Sequence, residues 1–324
     1  MNRRNFLKLS GATLAASALA GVSVLGCKSS SKPVLKIGHL PLTDHLTIIA
    51  HSQFEYQHLT LEPVKFSSWP ELLEALRSGA IQGGFALTPF GLALRQKGAP
   101  IKLVQAGHRN GSSLTIKNDP AITKLEDLRG KTIAIPSRFS THNILLSKLL
   151  HEHGLSADKD VKVLEMGPPE MVNALSTGRI DAFIVAEPFG AQAEILKVGK
   201  ALVYSKDVWK DHICCGLNLH ETVINQHPEA VEELVGNFVK TANFIEANPK
   251  EAAQLSTRYL GQKPEVIQYV LETPKDRVSF RDLVPTASEI QTTQDYLVQF
   301  GISKERVDVA SYLDDRFARK AYQA

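Results

Sequence analysis

A twelve-residue pattern recurs in this chain with six of its twelve positions identical, and the repeat limits what it can fold into. Pro70-Glu71-Leu72-Leu73-Glu74-Ala75-Leu76-Arg77-Ser78-Gly79-Ala80-Ile81 aligns without gaps on Pro169-Glu170-Met171-Val172-Asn173-Ala174-Leu175-Ser176-Thr177-Gly178-Arg179-Ile180, a shift of 99 residues. The same register carries Pro89-Phe90-Gly91 onto Pro188-Phe189-Gly190 and Leu103-Val104 onto Leu202-Val203. Each copy reads as an amphipathic helix closed by a glycine, a short apolar strand, and a helix opened by proline in its first turn. Shared turn residues in one gap-free register point to a fold built twice.

The surrounding pattern supplies the fold class. Val34 to Gly38, Leu59 to Phe66, Gly84 to Leu87 and Lys102 to Ala106 read as strands separated by amphipathic helices. A second series runs through Lys131 to Ile135, Val161 to Leu164, Ala182 to Val185 and Ala201 to Tyr204. Alternation of this kind predicts an α/β protein of two lobes, each a mainly parallel sheet flanked by helices, with a ligand cleft at the carboxyl ends of the strands. The chain is expected to cross to the second lobe around Asn110 to Lys117 and to return over Cys215 to Leu219. This assigns 34–115 and 216–324 to the first lobe and 116–215 to the second. The largely helical segment from Glu221 to Ala324, including Pro228 to Ala247 and Ala287 to Phe300, should complete and cover the first lobe.

The N-terminus is set apart by charge. The chain has 37 Lys plus Arg against 34 Asp plus Glu, and Arg3, Arg4 and Lys8 account for the whole excess. From Cys27 onward the side chains balance, which argues against a nucleic-acid binder held by a broad basic face. Residues 9 to 25 form a mildly apolar run of about 17 residues, shorter than a stable membrane span, so residues 1–26 read as an export signal. Arg3-Arg4 followed by Phe6-Leu7-Lys8 resembles a twin-arginine signal, with Asn2 where Ser or Thr is usual. Val24-Leu25-Gly26-Cys27 resembles a lipoprotein processing box, making Cys27 the lipidation site and the polar stretch to Pro33 a tether. A lipid-anchored protein facing the periplasm or cell exterior is expected. Three cysteines in 324 residues exclude a disulfide scaffold.

Several residues fall at the predicted strand ends facing the cleft. Ser140 is a good N-cap for the helix that follows Pro136-Ser137-Arg138-Phe139, leaving the amides of Thr141, His142 and Asn143 directed outward with the positive end of the helix dipole. That arrangement suits a small anion. Thr43 or Asp44 can cap a helix beginning near His45, Thr88 precedes Pro89, and Glu187 precedes Pro188, so helix N-termini from both lobes should converge on one ligand. Glu187 is discordant at an anion site; it can cap its own helix, pair with Arg138 or Lys210, or hold an amino group or metal. Trp69 is placed to form a cleft wall or to cover the core. His39, His45 and His108 lie near strand ends, but neither they nor His151-Glu152-His153 form a zinc motif, and no metal site is assigned. Cys214-Cys215 reads as small buried residues near the hinge. No catalytic motif, phosphate loop or dinucleotide fingerprint is present, and no cofactor is expected.

Pro41-Leu42-Thr43-Asp44, Ser68-Trp69-Pro70, Leu87-Thr88-Pro89, Ser140-Thr141-His142-Asn143 and Glu187-Pro188-Phe189 together resemble the substrate-binding proteins of ABC importers for nitrate, bicarbonate, sulfonates and taurine. The resemblance implies a periplasmic-binding fold of type II that closes on a small, anionic solute and delivers it, as a monomer, to a membrane permease with its ATPase. In the nitrate and bicarbonate branch it implies pocket roles for Trp69, His142 and Ser112, the last being shorter than the glutamine usual there. Cys215 falls in the segment where that branch carries a lysine, and Lys210 is the nearby cation that can substitute. The same fold also occurs in the pyrimidine-precursor synthase of thiamine biosynthesis, so a thiamine-type pyrimidine binder or an enzyme of that kind is the alternative.

Overall fold

A computed structural model describes residues 32–323. The leader, its arginines and Cys27 lie outside them. The strands in chain order are β1 (Val34–His39), β2 (Thr60–Lys65), β3 (Gly83–Leu87), β4 (Ile101–Ala106), β5 (Arg109–Asn110), β6 (Ser112–Lys117), β7 (Thr132–Ile135), β8 (Lys162–Glu165), β9 (Ala182–Ala186), β10 (Gly199–Tyr204), β11 (Cys215–His220) and β12 (Val278–Ser279). They form two five-stranded sheets, ordered β2-β1-β3-β11-β4 and β10-β6-β9-β7-β8, and a small pair, β12-β5.

The internal repeat is visible in both sheets. β1 pairs in parallel with β2 and β3, as β7 does with β8 and β9. Each sheet then takes one antiparallel strand from the segment that crosses between lobes: β11 lies between β3 and β4, and β6 lies between β9 and β10. The sequence pattern predicts connections over these two segments. In the structure they are strands near the centre of each sheet, so neither sheet is complete until the chain has crossed. The passage to the second sheet occupies residues 107 to 111, whereas the sequence reading divided the lobes at 115/116, inside β6.

Repeated turn residues have repeated physical reasons. Gly79 and Gly178 close the helices Trp69–Arg77 and Pro168–Ser176 with φ of 76° and 73°, a region that disfavours any side chain with a Cβ. Gly91 and Gly190 instead allow close approach. A Cβ on Gly91 would overlap the Tyr312 hydroxyl, and one on Gly190 would overlap Ser113 Oγ.

The helix Pro228–Ala247 turns Val231, Leu234, Val235, Phe238, Ala242 and Ile245 onto the first sheet, where Phe238 stacks on Phe85 at 5.7 Å between ring centroids. The C-terminal region thus covers the first lobe. A second apolar cluster joins Leu40, Trp69, Leu72 and Leu87 of the first lobe to Met171, Val185 and Phe189 of the second and includes Cys214 and Cys215. The lobes are therefore closed on each other. No helix among the described residues is long and apolar enough to cross a membrane.

A buried ion pair ties the lobes where apolar contact alone could slide. Arg277, fully buried, donates from Nε to Glu187 Oε1 and from Nη1 to Glu194 Oε2, both at 2.8 Å, and to the Thr273 carbonyl at 3.1 Å. Tyr204 and Tyr269 flank its guanidinium at 5.0 and 5.6 Å. Removing one partner of such a pair strands the other charge in a low dielectric. Arg277→Met should lower the unfolding free energy by about 3–5 kcal/mol in urea titrations, with Arg277→Lys recovering part of the loss; an unchanged midpoint for Arg277→Met would show that the pair is energetically idle.

Candidate functional site

The two crossings run side by side beneath the cleft. Asn110 N donates to the His212 carbonyl at 3.1 Å, Gly107 N to the Cys215 carbonyl at 2.9 Å, and Asp211 N to Asn110 Oδ1 at 2.9 Å. Asn110 and Gly111 have φ of 62° and 87°, which bends the outgoing crossing into β6. β5 in this crossing pairs with β12, so a hydrogen-bonded layer underlies the hinge.

At this layer the turn after β1 brings Asp44, the outgoing crossing brings His108, and the return brings Cys214 and Cys215. Ligating atoms of these four buried residues lie within 4.8 Å of one another. Asp44 Oδ2 is 3.1 Å from His108 Nε2, although neither group has an aligned hydrogen bond. Beside them His142 Nε2 is 3.0 Å from Ser112 Oγ and 3.9 Å from Cys214 Sγ, and its ring lies 6.2 Å from that of Trp69. Trp69 packs both ways, against His142 and in the apolar cluster between lobes. Trp69, Ser112, His142, Asp44 and Cys215, five of the residues expected at the cleft, are thus brought into one neighbourhood.

The other expected residues are placed differently. Ser140 caps its helix, accepting from Asn143 N at 3.1 Å. Thr88 and Thr141 do not offer hydroxyls to a ligand: Thr88 Oγ1 donates to the carbonyls of Ile213 (3.2 Å) and Cys214 (3.3 Å), and Thr141 Oγ1 donates to Cys214 (3.3 Å). Threonines at helix starts in both lobes therefore converge on one backbone carbonyl of the return crossing, because a buried carbonyl there needs donors. Thr43 and Asp44 do not cap; Leu42 occupies the N-cap of the short helix Thr43–Ile49, and Thr43 Oγ1 is buried without a partner. Glu187 accepts from Ala191 N at 3.0 Å, capping its own helix, and from Ser113 Oγ at 3.0 Å. Its cationic partner is Arg277, not Arg138, which pairs with Asp158, nor Lys210. Lys210 is exposed on an open cavity of about 690 Å³ that also includes Arg109, Lys206 and Glu289, apart from the His142 group.

Burial sets the protonation of this group. It lowers His108 to about 4, against the opposing charge of Cys214, and holds His45 well below the ordinary imidazole value. It also raises Asp44 well above the carboxylate range, assisted by the negative charges of Cys214 and Glu187. Burial pushes Cys214 up as well, but a hydrogen bond from Cys215 and the charge and hydrogen bond of His142 outweigh it and leave the thiol well below its ordinary value. Cys215 is correspondingly raised, by burial and by Cys214. Burial thus disfavours the charged forms of His108, His45 and Asp44, while of the two thiols Cys214 is the one favoured toward ionisation.

His108, His45 and Cys214 were not among the expected site residues. The histidines were marked only by position near strand ends and Cys214 only by its adjacency to Cys215, and no spacing joins His108 to Cys214 across more than a hundred residues.

His39, at the end of β1 and 1% exposed, gives a direct test of this burial. Burial, with the Lys65 charge adding, lowers it from 6.5 to about 4 despite the hydrogen bond with the Leu40 carbonyl. The unfolded chain therefore takes up the proton first as pH falls. The stability that neutral His39 contributes is complete above 6.5 and is lost between 6.5 and about 4, by roughly 3 kcal/mol. In urea titrations at pH 7 and pH 5, His39→Gln should show a smaller loss of stability between the two than the parent; equal losses would mean that His39 is not the group responsible.

The family model described as "NMT1-like family" matches residues 28–260. The chain is 28% identical over 243 residues to the nitrate import ATP-binding protein NrtC of Synechocystis, covering 68% of this chain and 36% of that protein. It is 24% identical over 284 residues to the nitrate/nitrite binding protein NrtA of Nostoc, covering 72% of this chain and 64% of that one. It therefore spans less than two thirds of the length of these relatives. Among solved structures, the ligand-binding component of an ABC-type import system from Staphylococcus aureus with zinc bound superposes with a TM-score of 0.82 at 30% identity, covering 90% of this chain and 100% of that one.

Proposed function

The chain belongs to the NMT1-like family, and from that membership we propose that it is the extracytoplasmic solute-binding component of an ABC importer. In this reading the closed cleft is the capture site and a permease with its ATPase is the partner. The observation that carries it is the interlobe neighbourhood of Trp69, Ser112, His142 and Cys214, reached by both lobes and by both crossings. A solute held there touches the segments whose geometry must change when the lobes part, so occupancy is converted into closure. The relatives named for import and binding support a carrier rather than an enzyme.

The solute class carried over from the nitrate relatives is a small anion. Ser140 takes the Asn143 amide, and the amides of Thr141 and His142 in the first helical turn are the donors suited to it. A solute at a hundredfold excess over its Kd should stabilise the protein by about 2.7 kcal/mol, several degrees in Tm. Thermal-shift measurements with nitrate, bicarbonate, sulfonates and taurine should find at least one such shift, and His142→Ala should abolish it while the protein remains folded. A shift of the same size in His142→Ala would move the site elsewhere.

Export and anchoring through Cys27 belong to the same reading, with the monomer as the working form. Membrane fractionation distinguishes them: Cys27→Ser should release the protein from the membrane fraction, and retention there would remove the lipid anchor from the proposal.

A further inference from the structure

We propose that Asp44, His108, Cys214 and Cys215 form a binding site for one divalent transition-metal ion of the zinc type, set in the floor of the cleft. The inference rests on the reading of that cleft as the solute site and specifies its chemistry. All four side chains are fully buried, and their ligating atoms lie within 4.8 Å of one another. A tetrahedral shell with bonds of about 2.0–2.3 Å places its ligand atoms roughly 3.3–3.8 Å apart, so only a small contraction is required.

The polar accounting points the same way. Both carboxylate oxygens of Asp44 and both ring nitrogens of His108 are buried without a hydrogen-bond partner, although Asp44 Oδ2 and His108 Nε2 stand 3.1 Å apart. Leaving buried polar atoms unpaired forfeits the hydrogen bonds they made to water and destabilises the fold. A cation bound by one oxygen of Asp44 and one ring nitrogen of His108 gives each group a partner without the alignment a hydrogen bond demands.

The backbone keeps this space open. Gly111 has φ of 87°, and a Cβ there would lie 2.6 Å from Asp44 Oδ1 and 2.9 Å from His108 Nδ1. Around the four ligands stand His142, 3.9 Å from Cys214 Sγ and held by Ser112 at 3.0 Å, and His212, whose Nδ1 is 2.7 Å from the Trp209 carbonyl. Such neighbours orient thiolate ligands and tune their basicity. One carboxylate, one imidazole and two thiols form a mixed, moderately soft set that suits zinc rather than magnesium or calcium. The ion would also add positive charge beside His142 and Ser112, since Arg277 is paired with Glu187 and Glu194 and Lys210 lies on the open cavity.

The test is titration of metal-stripped protein with zinc by calorimetry, with cobalt(II) as a spectroscopic substitute. One ion per chain and a thiolate-to-cobalt charge-transfer band are expected. Cys214→Ser should remove the band, and the near-isosteric Asp44→Asn and His108→Gln should each weaken zinc at least tenfold, while Lys210→Ala leaves affinity unchanged. Absence of stoichiometric uptake overturns the inference, as does uptake that all three ligand variants retain. If zinc fails and an anion still gives a His142-dependent thermal shift, the metal site falls while solute capture in the cleft stands.

Discussion

The architecture depends on the hydrogen-bonded insertion of each crossing strand into the sheet of the lobe it enters. β6 lies between β9 and β10, and β11 between β3 and β4, both antiparallel in otherwise parallel sheets. Each lobe therefore owes a near-central strand to a segment that has just left the other lobe. The crossings bond to each other as well, through Asn110 to His212 and Gly107 to Cys215. The lobes cannot be rearranged freely without disturbing this layer, and the candidate site stands on it.

Polar groups buried by lobe closure then have to be satisfied from a limited supply. The Cys214 carbonyl uses the hydroxyls of Thr88 and Thr141, one from each lobe. Glu187 uses Arg277, Ser113 and the Ala191 amide. Once these demands are met, Asp44, His108 and the two cysteines are left facing one another. The body is formally neutral in its side chains, so attraction for a charged solute has to be local. It falls to helix ends, to a few cleft side chains and, in our inference, to an ion seated among them.

Much of this was legible from the chain. The repeat at 99 residues anticipated the correspondence of β3 with β9 and of the helices around them, because identical turn glycines impose identical local geometry. Ser140 was legible as a cap because capping is settled within four residues. Thr88 and Thr141 were located but misassigned: sequence shows a hydroxyl at a helix start, not which buried carbonyl will compete for it. Glu187 and Lys210 illustrate the same limit, since the partner that mattered, Arg277, is distant in sequence and reaches Glu187 only when the C-terminal segment packs against both lobes.

By itself the sequence determined the duplicated α/β plan, the leader's separate charge and the Ser140 cap of the helix that carries His142, because these follow from periodicity and local turn chemistry. Only the tertiary structure decided that the crossings are strands, that Arg277 neutralises Glu187, and that His108 faces Asp44 beside Cys214. Those are pairings between segments distant along the chain. They are selected by the energetic need to satisfy polar groups that become buried together, and no local pattern encodes that need.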